Sequence, residues 1–152
     1  MKNIRTSVFE TNSSSTHSVS FDENTTCFVP CPPDEQGYMV IEGREYGRAK
    51  ETFSTVYERL SYAAVAAKSQ GTRHNKFLQL FEKVVKDYTK CDEIVYNFTT
   101  NYESNSPLPM AYIDHQSNIG EAGDIETAFE SEKTLKAFLF GAESYFQTDS
   151  DG

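Results

Sequence analysis

The chain has 152 residues, with 23 acidic and 14 basic side chains, a formal net charge of −9 and many aromatic residues, 11 Phe and 9 Tyr. This length is typical of one domain that folds without disulfides or a structural metal, and three cysteines, an odd number, are typical of reduced thiols. The sequence contains no apolar run long enough for a signal peptide or a membrane span. We therefore expect a single cytoplasmic domain over residues 1–152, with a frayed tail at about 149–152.

The negative charge is concentrated in the last part of the chain. Residues 1–91 contain 12 Lys or Arg against 11 Asp or Glu, whereas residues 92–152 contain 2 against 12. Such a segment produces a negative field that repels phosphate backbones and attracts basic surfaces. We expect no direct binding of nucleic acid and no membrane association.

Alternating and β-branched residues predict the strands. The pattern places Tyr38, Val40 and Glu42 on one face of a strand and Met39 and Ile41 on the other. The first two strands form a hairpin, the strands at 93–98 and 110–114 are expected to pair, and the last one closes the sheet. The prolines at 30, 32 and 33 predict an exposed loop after the hairpin. The expected strands lie near residues 4–8, 17–21, 37–43, 93–98, 110–114 and 144–148.

Three segments show helical patterns. Ser54 is the predicted N-cap of a helix that ends near residue 70, an apolar stripe predicts a second helix over residues 74–90, and Ser131 and Gly141 bound a third. Small residues in the first helix predict close packing. Together the elements predict an α+β fold, a small mixed or antiparallel sheet of about five strands packed by two longer helices and one short C-terminal helix.

A polar loop carries the first candidate site. Residues 10–18 read ETNSSSTHS, and such a loop binds phosphate through amides and hydroxyls or activates a serine with a histidine as base. In this hypothesis His17 is a general acid or base and Glu10 orients a histidine. The other interpretation is a polar turn that caps its own backbone. The ligand-binding candidates of this loop are Asn12, Ser13, Ser14 and Ser15.

Two further segments carry candidate residues. Asp114 and His115 follow a predicted strand, where a carboxylate can orient an imidazole for proton transfer, and they would share a pocket with His17 if the two loops meet. A predicted tight turn at residues 43–47, between a strand and a helix, brings Arg44 and Arg48 near each other, where they could hold a phosphate or an acidic group. Solvated surface positions are the alternative for both segments.

Cofactor and metal motifs are missing from the sequence. Cys27 and Cys31 are four residues apart beside prolines, without a second pair at zinc spacing. The chain also lacks a Walker loop, a dinucleotide fingerprint, a His-Glu-x-x-His segment and a nucleophile elbow. We expect no metal and no cofactor, and the motifs leave open whether the protein is an enzyme.

Four segments carry a resemblance to a known group of proteins. Residues 5–18, RTSVFETNSSSTHS, are the most specific, and residues 41–47, 112–117 and 129–141 agree more loosely. In these segments the chain resembles a family of small uncharacterised proteins from tailed bacteriophages and prophages. Arg44 and Arg48 depart from the family's turn, which has an aromatic residue after its second glycine. The resemblance implies a phage setting, in the cytoplasm of an infected bacterium, and assigns no catalytic residue.

Two functions are consistent with these patterns. The first is a phage-encoded accessory protein that binds and modulates a host or defence protein, with the acidic C-terminal third as its binding surface. The alternative is a small enzyme or ligand-binding protein for a phosphorylated or nucleotide-like metabolite, built from the serine-rich loop and the histidines. The sequence predicts neither the partner nor the oligomeric state.

Overall fold

A computed structural model describes residues 2–6, 15–47, 49–69, 75–100, 107–113 and 124–150, and in these ranges the predicted α+β class is confirmed. Its helices and strands follow in chain order: β1 (Lys2–Thr6), β2 (Ser15–Phe21), β3 (Tyr38–Glu42), β4 (Glu45–Tyr46), β5 (Glu51–Phe53), α1 (Val56–Lys68), α2 (Lys76–Thr89), β6 (Glu93–Asn97), β7 (Tyr112–Ile113), α3 (Asp124–Ala128), α4 (Glu132–Phe140) and β8 (Tyr145–Ser150).

An antiparallel sheet of four strands, in the order β1-β2-β8-β5, forms one part of the fold. The predicted hairpin of β1 and β2 is present, with Ile4 opposite Val19. β8 lies between β2 and β5, so the last strand of the chain is an interior strand of this sheet. The alternation in β2 and β8 places Val19 and Phe146, which are partners in the register, in the core.

Two short parallel pairs form the other part. β3 pairs with β6, and β4 pairs with β7. The expected pairing of the strands at 93–98 and 110–114 with each other is therefore corrected, since among the described residues these segments are joined only by a bridge between Thr99 and Met110. The chain passes through α1 and α2 between β3 and β6, and a helical crossover of this kind brings strands together in parallel.

The helices begin and end at recognisable capping residues. Thr55, one residue after the predicted Ser54, forms a capping box with Glu58 at the start of α1, and Asn75 caps α2. The prediction for the last helix is confirmed, because Ser131 caps α4 and Gly141 ends it. In the described ranges no helix is long and apolar enough to cross a membrane.

Helix α1 lies at the centre of the molecule. It contacts α2, α4, β3 and β7, and most of its residues are buried. The predicted close packing is present, because four alanines of this helix have no exposed surface: Ala63, Ala64, Ala66 and Ala67. Small side chains allow neighbouring elements to approach the helix backbone, which lets one helix contact two others and two strands.

Two loop predictions differ from the structure. The segment 43–47 is not a tight turn leading into a helix, because it contains β4, and the ring of Tyr46 is buried among aromatic residues. The segment after the hairpin has no regular strand, as its prolines predict, yet Phe28 bridges Gly141 and Cys31 is buried. In both segments, burial of apolar side chains holds the backbone against the core although neighbouring residues favour turns.

Candidate functional site

His17, the predicted acid or base, lies in the interior of the antiparallel sheet. It stands on β2 opposite Thr148 of β8, and its side chain is 2% exposed. Its Nδ1 lies 3.1 Å from the hydroxyl oxygen of Tyr62 on α1, so one of the two groups donates a hydrogen bond to the other. This contact fixes the imidazole against the central helix.

Aromatic rings surround the Tyr62 side of this contact. Tyr62 stacks on Phe146 at 4.2 Å between ring centroids and meets Tyr46 edge-on at 5.3 Å. Phe53 also stacks on Phe146, with 4.6 Å between the ring centroids. Burial raises the pKa of Tyr46 to about 12, and the nearby hydroxyl of Ser61 opposes this shift. The aromatic cluster therefore packs against the tyrosine that contacts His17.

Most of the other predicted site residues lie outside the described ranges. Ser15 is described only through its backbone, as the first residue of β2. The meeting of the serine-rich loop with the segment after β7 stays a prediction. The residues concerned are Glu10, Asn12, Ser13, Ser14, Arg48, Asp114 and His115.

Arg44, a predicted ligand-binding residue, has partners within the fold. Its guanidinium lies 5.1 Å from the ring centroid of Tyr46 and 4.9 Å from that of Phe53. Its Nη2 lies 3.3 Å from Oε2 of Glu51 on β5. The side chain thus covers the aromatic cluster and joins β5 to the segment before β4, which are structural contacts.

Arg59, which the sequence interpretation did not single out, is buried on α1. Its Nη1 donates hydrogen bonds to the carbonyl oxygens of Phe138 and Gly141, both at 2.8 Å. Burial lowers the pKa of Arg59 to about 10, so the group stays charged at neutral pH, and a cation at the last carbonyls of α4 complements the helix dipole. It fixes α1 to the end of α4, and its only sequence signal is a charge inside an apolar stripe.

A groove lies between α2, α4 and residues 23–28. One part has a volume of about 300 Å³ and the adjoining part about 440 Å³. The two parts share Glu132 and Lys136 of α4. The wall from α2 includes Val84, Asp87 and Tyr88. A groove of this size can hold a short segment of another molecule.

Aromatic rings and a lysine form the floor of the groove. Lys136 Nζ lies 4.5 Å from the ring centroid of Phe28 and 5.5 Å from that of Tyr88. Tyr88 stacks on Phe140 at 4.1 Å, and its hydroxyl donates to the carbonyl of Val29 at 2.6 Å. These contacts order the floor and hold the ammonium of Lys136 over it.

Ion pairs occupy the rim of the groove. Lys83 Nζ lies 3.0 Å from Oδ2 of Asp87 and 3.3 Å from Oε1 of Glu132, and hydrogen bonds to these carboxylates raise the pKa of Lys83. Lys133 Nζ donates to Oδ1 of Asn24 at 3.0 Å. Charges of both signs therefore balance at this surface.

Several carboxylates of the C-terminal third are exposed. They lie at and before the start of β6, just before α4 and at its first residue, and in the turn before β8. Burial raises the pKa of Glu126, which is only half-buried on α3. The exposed ones are Asp92, Glu93, Glu130, Glu132 and Glu143.

Neither known proteins nor metal-ligand geometry indicates a function for the described residues. The chain matches no family of known proteins, no curated protein and no solved structure. Within the part of the chain that the structure describes, no three His, Cys, Asp or Glu side chains are grouped to hold a metal ion. The three cysteines are free thiols, with Cys31 and Cys91 buried and Cys27 exposed.

Proposed function

We propose that this chain is a phage-encoded accessory protein that binds and modulates a host or defence protein with a basic surface. One observation carries the proposal: the exposed carboxylates of residues 92–152 are accompanied by only two basic side chains, and both have local contacts. Lys133 donates to Asn24, and Lys136 lies over Phe28. The carboxylates remain the dominant charges that this third presents to a partner.

Electrostatics explains how such a surface would work. Exposed carboxylates speed the encounter with a basic partner and disfavour acidic ones, whereas apolar contacts supply most of the remaining affinity. Because surface charges are screened over about 10 Å at 0.1 M salt, binding driven in this way weakens as salt rises.

The resemblance in residues 5–18 supports the phage setting. A small phage protein of this kind meets the proteins of the infected cell in its cytoplasm, where basic partners include nucleic-acid-binding enzymes. The proposal therefore names a protein partner of the host or of its defence systems and gives the chain no catalytic step.

A capture experiment tests the proposal. Tagged protein is incubated with lysate of a bacterial host at about 0.05 M and about 0.5 M salt, conditions between which screening increases several-fold. We expect capture of a basic protein at low salt and its loss at high salt. A triple variant, Glu93→Gln with Glu130→Gln and Glu143→Gln, should weaken capture about tenfold, because rim charges mainly set the association rate.

The matched control removes three exposed carboxylates from the first part of the chain, Glu35→Gln with Glu45→Gln and Glu51→Gln. We expect this variant to capture the partner as the unchanged protein does. Absence of a basic partner at both salt concentrations, or an equal loss in the two triple variants, would contradict the proposal.

A further inference from the structure

Two exposed valines lie side by side on the β3 and β6 pair. Among the described residues only four large hydrophobic side chains are exposed: Val40 (42%), Val95 (36%), Tyr57 (65%) and Leu108 (37%). Val40 and Val95 are direct partners in the register of β3 and β6. They therefore form one continuous apolar surface on two strands of the sheet.

The two faces of this pair have different surroundings. Met39, Ile41 and Ile94 point inward and are buried, and α1 contacts β3 while α2 contacts β6. Alternation places Val40 and Val95 on the opposite face, which is exposed. Parallel strands are usually covered on both faces, so a parallel pair with an exposed apolar centre is an unusual feature for a folded domain.

Carboxylates flank the valines at both ends. Glu93 is the register partner of Tyr38 at one end, and Glu42 is the partner of Asn97 at the other. Asn97 Nδ2 donates to Oε2 of Glu42 at 2.7 Å, which holds this carboxylate beside the outer face. Both carboxylates are exposed.

The end of the pair that carries Glu93 has a second acid. The side chain of Asp92 is packed against Gly37, and the Asp92 amide donates to the Gly37 carbonyl at 2.7 Å. Gly37 has a φ of +87° and leaves no space for a side chain at this point. Lys90 is the nearest basic residue along the chain, and it precedes the two acids.

We infer that the outer face of β3 and β6 is the docking surface for the basic partner, with the valines as its apolar centre and the carboxylates of Glu42, Asp92 and Glu93 as its rim. The inference rests on the proposed function and names its contact site. The partner that fits has a small apolar side chain or two between lysines or arginines. An interface with an apolar centre and a polar rim is the arrangement that protein–protein contacts commonly show.

The size of the face predicts a weak contact. Two strands of five residues cover about 16 Å by 10 Å, or about 160 Å², from the standard rise and spacing of strands. A stable interface buries about 800 Å² on each partner, so this face forms only the centre of the contact. Binding should accordingly be reversible and sensitive to salt.

The test uses a short peptide in which Lys and Val alternate, titrated into isotope-labelled full-length protein and followed by amide chemical shifts. The control peptide has Ser in place of Lys. We expect the largest shifts in Tyr38–Glu42 and Glu93–Asn97 and weaker binding at high salt. The double variant Val40→Ser with Val95→Ser should weaken binding about tenfold.

Two further variants test whether the valines themselves, and not exposed apolar side chains in general or the rim carboxylates alone, bind the peptide. Tyr57→Ser with Leu108→Ser removes the other two exposed hydrophobic side chains and should leave peptide binding unchanged. Glu42→Gln with Glu93→Gln keeps the valines, and it should weaken binding of the Lys peptide and make the dependence on salt shallower.

Several results would overturn the inference. These are shifts centred on the groove at Val84 and Lys136, equal binding by the valine variant, or self-association of the protein that this variant abolishes, which would make a second copy the occupant. The inference can also fail alone: if a captured basic host protein binds the valine variant as tightly as the unchanged protein, the proposed function stands and this docking surface does not.

Discussion

The antiparallel sheet and the β3 and β6 pair differ in which side chains they bury: a polar one is buried in the sheet, and apolar ones are exposed on the pair. In the sheet, the imidazole of His17 faces inward and bonds to Tyr62, whereas in the pair Val40 faces outward. Successive side chains of each strand point to opposite faces. Alternation therefore identifies the two faces of a strand, and the neighbouring elements decide which face is covered.

The helices explain the difference. α3 and α4 contact β2, and the His17 side chain meets α1 through Tyr62, so the inner face of the sheet lies against a complete layer. In the β3 and β6 pair, α1 contacts β3 and α2 contacts β6, on the face that carries Met39 and Ile94. A polar residue is buried where it finds a hydrogen-bond partner, and the valines are exposed on the face opposite the one that α1 and α2 contact.

The largest expected effect lies in the parallel region, at Gly43. A Cβ at this position would overlap the side chain of Phe98 and approach the Cβ of Ala111 to 2.8 Å. We expect Gly43→Ala to lower the free energy of unfolding by about 3 kcal/mol, because overpacked cores must shift their neighbours. Urea denaturation checks this, with Glu45→Ala on an exposed neighbour as control. Equal stability of the two variants would show that the parallel pairs are loosely packed.

His17 provides the direct contrast with Val40. We expect His17→Ala to lower the free energy of unfolding by about 2 to 3 kcal/mol, since it removes a buried side chain and leaves Tyr62 without this hydrogen bond. Val40→Ala, on an exposed side chain, should cost less than about 0.5 kcal/mol. The measurement is chemical denaturation of both variants. A stable His17→Ala protein would mean that the imidazole is not part of the core.

Tyr46 sharpens the comparison through pH. Burial raises its pKa to about 12 in the folded chain, against about 10 in the unfolded chain. Its contribution to stability is therefore present below pH 10 and is lost as the pH rises through about 12, by about 2 kcal/mol at pH 11.5. Tyr46→Phe should lack this loss.

Other groups also titrate in this pH range, because burial lowers the pKa of Arg59 to about 10 and raises that of Tyr96. They contribute equally to the unchanged protein and to Tyr46→Phe, so the difference in stability between these two proteins reports Tyr46 alone. Denaturation at pH 9 and 11.5 gives the measurement. Tyr57→Phe, on an exposed ring, is the matched control and should follow the unchanged protein. Identical pH dependence in Tyr46→Phe and the unchanged protein would show that burial among the aromatic rings does not raise the pKa of Tyr46.

The smallest expected effect belongs to the outer valines. Val40→Ser with Val95→Ser should change the free energy of unfolding by less than about 1 kcal/mol, because these side chains are already partly solvated. Thermal and urea denaturation give this value. A larger loss would show that the valines stabilise the fold, and their exposure would then be no sign of a docking surface.

Local patterns in the sequence predict much of the fold but little of its pairing. Ser131 and Gly141 bound α4 because caps depend on nearby residues, and the alternation of residues 38–42 predicts both faces of β3. The parallel partners β3 and β6 lie far apart in the chain with two helices between them, so no short-range pattern indicates that they pair.

The candidate site was harder to predict for a related reason. His17 suggested chemistry by its residue type, but a hydroxyl from α1, distant in sequence, supplies its partner. The sequence pattern groups Val40 with Tyr38 and Glu42 on one face of β3, and it gives no indication of which face is exposed. Long-range contacts decide which residues are buried, and a short sequence pattern does not show those contacts.

Site-specific cross-linking in infected or expressing cells tests the central claim most directly. A photoreactive amino acid replaces Val95 in one protein and Tyr57, the most exposed large hydrophobic residue in the described ranges, in another. We predict that position 95 cross-links to a basic host protein, that Glu93→Lys abolishes this product, and that position 57 gives no such product. Equal cross-linking from both positions, or an acidic protein or a second copy of the chain at position 95, would contradict the account.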